Sequence, residues 1–183
     1  MIEILVGTNR PGSNTRKVAT QIADIYANQP GAQVSLLDLA ALPAAELFSP
    51  AAYETKPEKF ASFNRAIIDS EGLVIVTPEY NGSMPGVLKY FIDHWKYPES
   101  FEHRPICFVG LSAGATGAVR PIEHLSAIFA YRNAFQYPER VFLPNINGLL
   151  DEKTGKLNDP KIVARLEKQA QGFLDFLRRL KQE

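Results

Sequence analysis

The chain predicts a doubly wound α/β fold built on a parallel sheet, and three observations carry that prediction. Short apolar runs bounded by Gly, Pro or polar clusters recur at Ile2–Val6, Gln33–Leu37, Leu73–Thr77, Pro105–Leu111 and Arg140–Leu143. Stretches with apolar residues at helical spacing separate or follow them, so the elements read β-α-β-α-β-α-β-α-β-α. Unusual loops rich in Gly, Ser or Pro follow the first, third and fourth runs, where an open α/β sheet binds its ligands.

Each element has its own warrant. Ile2–Val6, closed by Gly7, reads as a buried central strand. From Thr15, the positions Val18, Ile22, Ile25 and Tyr26 mark a helix that Pro30-Gly31 stop. Gln33–Leu37 is the second strand, and Asp38 through Pro57, with three prolines, is an irregular connection holding one helical turn. Phe60, Phe63, Ile67 and Ile68 mark the next helix, and Leu73–Thr77 is a strand halted by Pro78. Pro78–Gly86 is too rich in Pro and Gly for a regular element, and a helix through Val87, Leu88, Phe91, Ile92 and Trp95 follows it. Pro98–Arg104 connects to the strand Pro105–Leu111, the small-residue loop Ser112–Gly117 and a helix through Val119, Ile122, Leu125, Ile128 and Phe129. After the fifth strand, Gly148–Gly155 reads as a polar turn or hairpin. The last helix, from Pro160, places Ile162, Leu166, Phe173, Leu177 and Leu180 on one face.

Composition narrows the function classes. The 183 residues suit a single domain over 1–183, with 45% hydrophobic and 22% charged side chains. Lys+Arg and Asp+Glu are both 20, and a balanced charge argues against a nucleic-acid or membrane-surface partner. The lone Cys107, inside an apolar run, is expected to be a buried structural thiol. With no leader pattern at Met1-Ile2-Glu3-Ile4 and no membrane-length apolar run, a cytoplasmic protein is the expectation.

The first loop, Gly7-Thr8-Asn9-Arg10-Pro11-Gly12-Ser13-Asn14-Thr15, runs from a strand into a helix N-terminus. It gathers free N–H groups, hydroxyls and a guanidinium suited to an anion. Gly7 and Gly12 have Walker spacing, but Ser13-Asn14 replace the Lys that pattern needs. Asn9 and Pro11 interrupt a dinucleotide fingerprint. Five strands with right-handed crossovers favour the flavodoxin-like order 2-1-3-4-5, in which the first and third loops flank the switch point and the fourth lies beside them. The first suits a phosphate, the second offers Tyr80 and backbone amides to a flat polar ring, and the third lets a planar edge approach its backbone. Flavin mononucleotide (FMN) has those three parts.

The segments G-T-N-R-P-G-S-N-T at 7–15, P-E-Y-N-G-S-M-P-G-V-L-K at 78–89 and, less specifically, G-L-S-A-G-A-T-G-A-V-R at 110–120 resemble the NADPH-dependent FMN reductases and their quinone, azo and chromate reductase relatives. The resemblance implies that Thr8, Arg10, Ser13, Asn14 and Thr15 hold the FMN phosphate. It implies that Pro78, Glu79, Tyr80, Asn81 and Gly82 lie along the isoalloxazine, their amides near N5 and O4, and that Ser112, Ala113 and Gly114 meet the pyrimidine edge. NADPH or NADH then donates hydride at N5 and leaves. A small acceptor (a quinone, azo compound, metal ion or free flavin) takes it at the same face, in ping-pong fashion, with no side-chain catalyst. The sequence departs from the family's usual pattern at Asp93-His94-Trp95, at the third loop's glycines and at Tyr131–Tyr137, which bears on substrate preference.

Other readings compete. Gly110-Leu111-Ser112-Ala113-Gly114 has nucleophile-elbow spacing, but no His follows residue 124 to complete a hydrolase triad. His94, His103 and His124 stand alone, so surface or capping roles are expected and no metal site. A non-enzymatic flavodoxin-type carrier is the rival, and the zero net charge speaks against its acidic docking face. The helix Val87–Trp95 is apolar on more than one face, which suits a homodimer, and the resemblance extends this to a homotetramer.

Overall fold

Four strands long enough to bury both faces form the spine of the sheet: β1 (Ile2–Val6), β2 (Val34–Asp38), β3 (Gly72–Pro78) and β4 (Pro105–Leu111). The computed structural model describes residues 1–182, the side chains of 46 and 47 apart. All pairings are parallel, in the order β2-β1-β3-β4, with β1 in register between Val34–Asp38 and Gly72–Val76. β1 and β3 are buried throughout, as runs such as Leu73-Val74-Ile75-Val76 require.

The fifth sheet position is shared by two pieces, β5 (Phe135–Gln136) and β6 (Val141–Leu143), which pair with opposite ends of β4. The sequence announced only the second. The ladder stops after Phe135 N donates to Arg104 O (2.9 Å) and Tyr137 N to Ile106 O (2.8 Å): the next donor in step, Glu139 N, makes no such bond among the described residues. The buried Gln169 patches the gap: its Nε2 donates to the carbonyls of Phe108 (3.0 Å) and Glu139 (2.8 Å).

Helices cover both faces. α1 (Asn14–Ala27) and α7 (Pro160–Leu180) press Val18, Ile22, Tyr26, Phe173 and Leu177 onto Ile4, Val74, Val76 and Val109. After the single-turn α2 (Ala44–Leu47), the helices α3 (Glu58–Asp69), α4 (Gly86–Asp93) and α5 (Val119–Tyr131) pack Phe60, Ile67, Leu88, Phe91 and Phe129 onto Leu5, Leu73, Ile75 and Phe108. Each fully buried side chain of this kind contributes about 1.5–3 kcal/mol. The residual turn α6 (Ile146–Leu149) follows β6, and an antiparallel bridge, Leu150 to Leu157, closes the expected hairpin. Cys107 is buried, and burial pushes its thiol up, as expected of a structural cysteine.

Connections are tied by local chemistry. Ser13 caps α1, its Oγ accepting from Arg16 N (3.1 Å), and Asp159 caps α7 by accepting from Lys161 N (2.8 Å). Arg104 donates to the carbonyls of Ile68 and Ser70, satisfying acceptors left over at the end of α3, and to that of Glu99 in its own connection. The 39–57 connection makes three single turns rather than one. Its Tyr53 stacks on His94 (4.2 Å between centroids), so His94 caps α4 from a buried position rather than a surface one.

Candidate functional site

The carboxyl ends of β1, β3 and β4 open into a cavity of about 500 Å³, a size that suits a small organic ligand. Its walls come from the loop after β1 (Arg10 to Thr15), the loop after β3 (Pro78, Glu79, Tyr80), the end of β4 with Ser112 and Ala113, and from Ile146 and Asn147. The first wall is an anion cradle. The N–H groups of Gly12 through Thr15 precede the first intrahelical acceptors of α1 and have no acceptor among the described residues. Arg16 is paired with Asp38 (3.0 Å), whereas Arg10 has no ion pair among the described residues. Arg10 is thus the cation available at this end.

The second wall is shaped differently. Tyr80 N donates to Ser83 O (2.9 Å) and Ser83 N to Tyr80 O (3.1 Å), and the two residues between them, Asn81 and Gly82, have φ of 52° and 76°. That is the geometry of a type I′ turn, which Asn-Gly favours because Gly tolerates positive φ freely and Asn better than most residues. The turn and the strand end engage part of this loop's donors. Pro78 has no N–H, Glu79 N donates to Leu111 O (3.2 Å), and Tyr80 N and Ser83 N are held in the turn. Between Glu79 and Ser83 the amides of Asn81 and Gly82 alone lack an acceptor among the described residues, and beyond the turn those of Met84 and Gly86 lack one too. The Tyr80 hydroxyl meets Thr8 Oγ1 at 2.9 Å, joining the second wall to the first.

Ser112–Gly117 is fixed by its own hydroxyl. Ser112 Oγ donates to Gly114 O (2.9 Å) and accepts from Gly117 N (3.0 Å), while His124 Nδ1 lies 2.9 Å from Ser83 Oγ. Neither partner is placed to make Ser112 a nucleophile, which disposes of the hydrolase reading. The loop doubles back so closely that a Cβ on Gly110 would come 2.6 Å from Gly117 O. Ser112 N donates to Leu143 O (3.1 Å) and Ile146 N to Ser112 O (2.9 Å), so the segment after β6 is bound to this loop.

Of the residues the sequence singled out, Arg10, Ser13, Asn14, Thr15, Pro78, Glu79, Tyr80, Ser112 and Ala113 line the cavity together. Thr8 is buried beneath it, and Asn81, Gly82 and Gly114 stand outside its lining. The structure adds Ile146 and Asn147, the latter accepting from Asn14 Nδ2 (3.0 Å). Pro144-Asn145-Ile146-Asn147-Gly148 is a Pro/Asn/Gly segment after a strand, the signal that marked the other loops. Glu79 also reaches sideways: Thr116 Oγ1 donates to its Oε2 (3.0 Å), and Arg120 Nη1 lies 3.6 Å from its Oε1. No group of three or more His, Cys, Asp or Glu able to hold a metal exists among the described residues.

Known proteins share this arrangement. Residues 1–148 match the NADPH-dependent FMN reductase family. A 2-hydroxy-1,4-benzoquinone reductase of Burkholderia sp. is 34% identical over 133 residues, covering 71% of this chain and 70% of that protein. An NAD(P)H-dependent FMN reductase of Pseudomonas aeruginosa is 31% identical over 157 residues, 83% of this chain and 82% of its own length. Among solved structures, the flavoenzyme NAD(P)H:(acceptor) oxidoreductase FerB of Paracoccus denitrificans shares the fold with a TM-score of 0.79 at 22% identity, covering 97% of both chains. No helix among the described residues is long and apolar enough to cross a membrane. With an anion cradle and a preformed turn facing each other across the switch point, and the family matched over most of its length, the chain belongs to the NADPH-dependent FMN reductases and is an oxidoreductase that uses FMN and NAD(P)H.

Proposed function

We propose that the chain passes hydride from NAD(P)H to small-molecule acceptors (quinones, azo compounds, metal ions or free flavin), with donor and acceptor taking turns at one open face. The observation that carries this reading is the pairing of two unlike walls in one cavity: unengaged N–H groups at Gly12–Thr15, and Pro78, Glu79 and Tyr80, which lead into the Asn81-Gly82 turn at its edge. Arg10, Ser13, Asn14 and Thr15 hold the FMN phosphate, with Thr8 fixing the loop from below. Pro78, Glu79, Tyr80, Asn81 and Gly82 border the isoalloxazine, and Ser112, Ala113 and Gly114 meet its pyrimidine edge. Bound FMN supplies the two-electron chemistry. The chain's own part is orientation: charge complementarity for the phosphate, turn amides beside the ring, and a face left open to successive substrates.

The same reading includes a single domain over 1–183, a cytoplasmic setting that suits the buried free thiol of Cys107, and a homodimer or homotetramer. The exposed aromatics Phe48 and Tyr53, 59% and 61% accessible, pack around Tyr90 of α4 and form the contact surface. Sedimentation as a monomer at micromolar concentration removes that part. The activity is tested by mixing FMN-loaded protein with NADPH or NADH and a quinone, an azo dye or ferricyanide. Parallel double-reciprocal plots are the expected result. Intersecting plots overturn the alternating order, and no NAD(P)H oxidation with any acceptor overturns the reading itself.

A further inference from the structure

The start of α5 presents a polar edge to the second wall of the cavity. Thr116, just before the helix, donates to Glu79, Arg120 lies beside the same carboxylate, and His124, one turn on, meets Ser83. Arg120 differs from the other two in how little of it is engaged. Its one ion pair among the described residues is the 3.6 Å approach to Glu79, and its side chain is 66% exposed where that of Glu79 is 13%. A guanidinium carries five N–H donors in a planar fork, so most of them face solvent at the rim of the site. The side chain lies against Gly82: a Cβ there would be in ordinary contact with Arg120 Cδ at 3.9 Å and with its Nη1 at 4.0 Å.

We propose that Arg120 is a specificity-determining residue that favours acceptors carrying an anionic group, such as a sulfonate, carboxylate or phenolate, on or beside the reducible ring. The proposal rests on the acceptor site argued above. Glu79, itself held by Thr116, keeps the guanidinium beside the Asn81-Gly82 turn, so an incoming anion meets a cation at the edge of the site. Arg10, which lines the cavity with Pro11 to Thr15, belongs to the end assigned to the phosphate. An uncharged acceptor gains nothing from Arg120.

The test compares 1,4-naphthoquinone with its 2-sulfonate as acceptors for FMN-loaded wild type, Arg120→Gln and Arg120→Lys. Intrinsic reactivity cancels when the sulfonate-to-neutral ratio of kcat/KM is compared between variants. Arg120→Gln is expected to lower that ratio about fivefold to tenfold, Arg120→Lys less, with the difference shrinking at high salt. Calorimetric binding of naphthalene-2-sulfonate, which is not reduced, should weaken by a similar factor in Arg120→Gln. An unchanged ratio together with unchanged sulfonate binding overturns the proposal. So does a loss confined to the KM of NADPH relative to NADH, which assigns Arg120 to the donor's phosphate. If wild type reduces neither quinone, the acceptor reading fails, and the sulfonate titration still decides the fate of Arg120.

Discussion

The loops after β1 and β3 start from the same place, a central strand ending beside a helix, and prepare for a ligand in opposite ways. The first leaves its donors free: the amides of Gly12–Thr15, at and just before the start of α1, have no acceptor among the described residues, and Arg10 has no ion pair among them. The second ties down the amides of Glu79, Tyr80 and Ser83 and presents those of Asn81 and Gly82 at the tip of a type I′ turn. A diffuse anion needs charge and many donors, while a flat ring needs a fixed edge. The contrast makes each loop answer to a different part of the ligand, and riboflavin, which lacks the phosphate, separates the two.

Gly82→Val should have the largest effect. A β-branched residue at φ +76° costs about 1–3 kcal/mol of strain, so the turn gives way. FMN and riboflavin binding should both fall about tenfold to a hundredfold, read by quenching of flavin fluorescence. Selective loss of FMN alone would break the comparison. Ser13→Ala should act the other way round. It removes the cap of α1, about 1 kcal/mol and about 2–4 °C in Tm, and should weaken FMN about tenfold while leaving riboflavin nearly unmoved. Tyr80→Phe removes the hydroxyl that joins the two loops, a loss of about 0.5–1.5 kcal/mol that denaturant unfolding would register.

The smallest change sharpens the comparison by leaving both loops alone. Glu3 is buried in β1 with neither carboxylate oxygen hydrogen-bonded among the described residues. Burial pushes its carboxyl above the ordinary 4.5, with Ser35 on β2 and the chain's amino group pulling the other way. A raised carboxyl binds its proton more tightly when folded, so stability falls as pH rises from 4.5 through the folded-state value. Glu3→Gln should therefore raise Tm at pH 8, with the gain vanishing toward pH 4, and should leave the preference for FMN over riboflavin as it was. A gain that grows on acidification would contradict the sign.

What could be read beforehand was whatever local pattern encodes. Leu73–Thr77 alternates nowhere and is buried on both faces, so its central place was plain, and with it the switch point and the loops beside it. The Pro and Gly of Pro78–Gly86 declared an irregular loop, though not that it would close a type I′ turn at Asn81-Gly82 with the amides of those two residues left free. Phe135–Gln136 escaped because two residues on an edge carry no period, and because Gln169, far along the chain, completes the ladder after Pro138. Asn147 reaches the cavity through the pairing of β6 with β4, which the expected strand order contains, and the Pro/Asn/Gly run after β6 is the signal that would have singled it out. His94 is buried by Tyr53, from a connection with no regular pattern. Arg120 and Thr116 read as solvent-facing polar residues until Glu79 is placed beside them.

The most direct test of the two-loop account is a parallel titration of the purified chain with FMN and with riboflavin, followed by flavin fluorescence. Several charge-assisted bonds to the phosphate, each about 1.5–3 kcal/mol, predict FMN binding at least about a hundredfold tighter. Equal affinity for the two would contradict the account, because it would leave Arg10, Ser13 and the unengaged amides of the first loop with no part in holding the ligand.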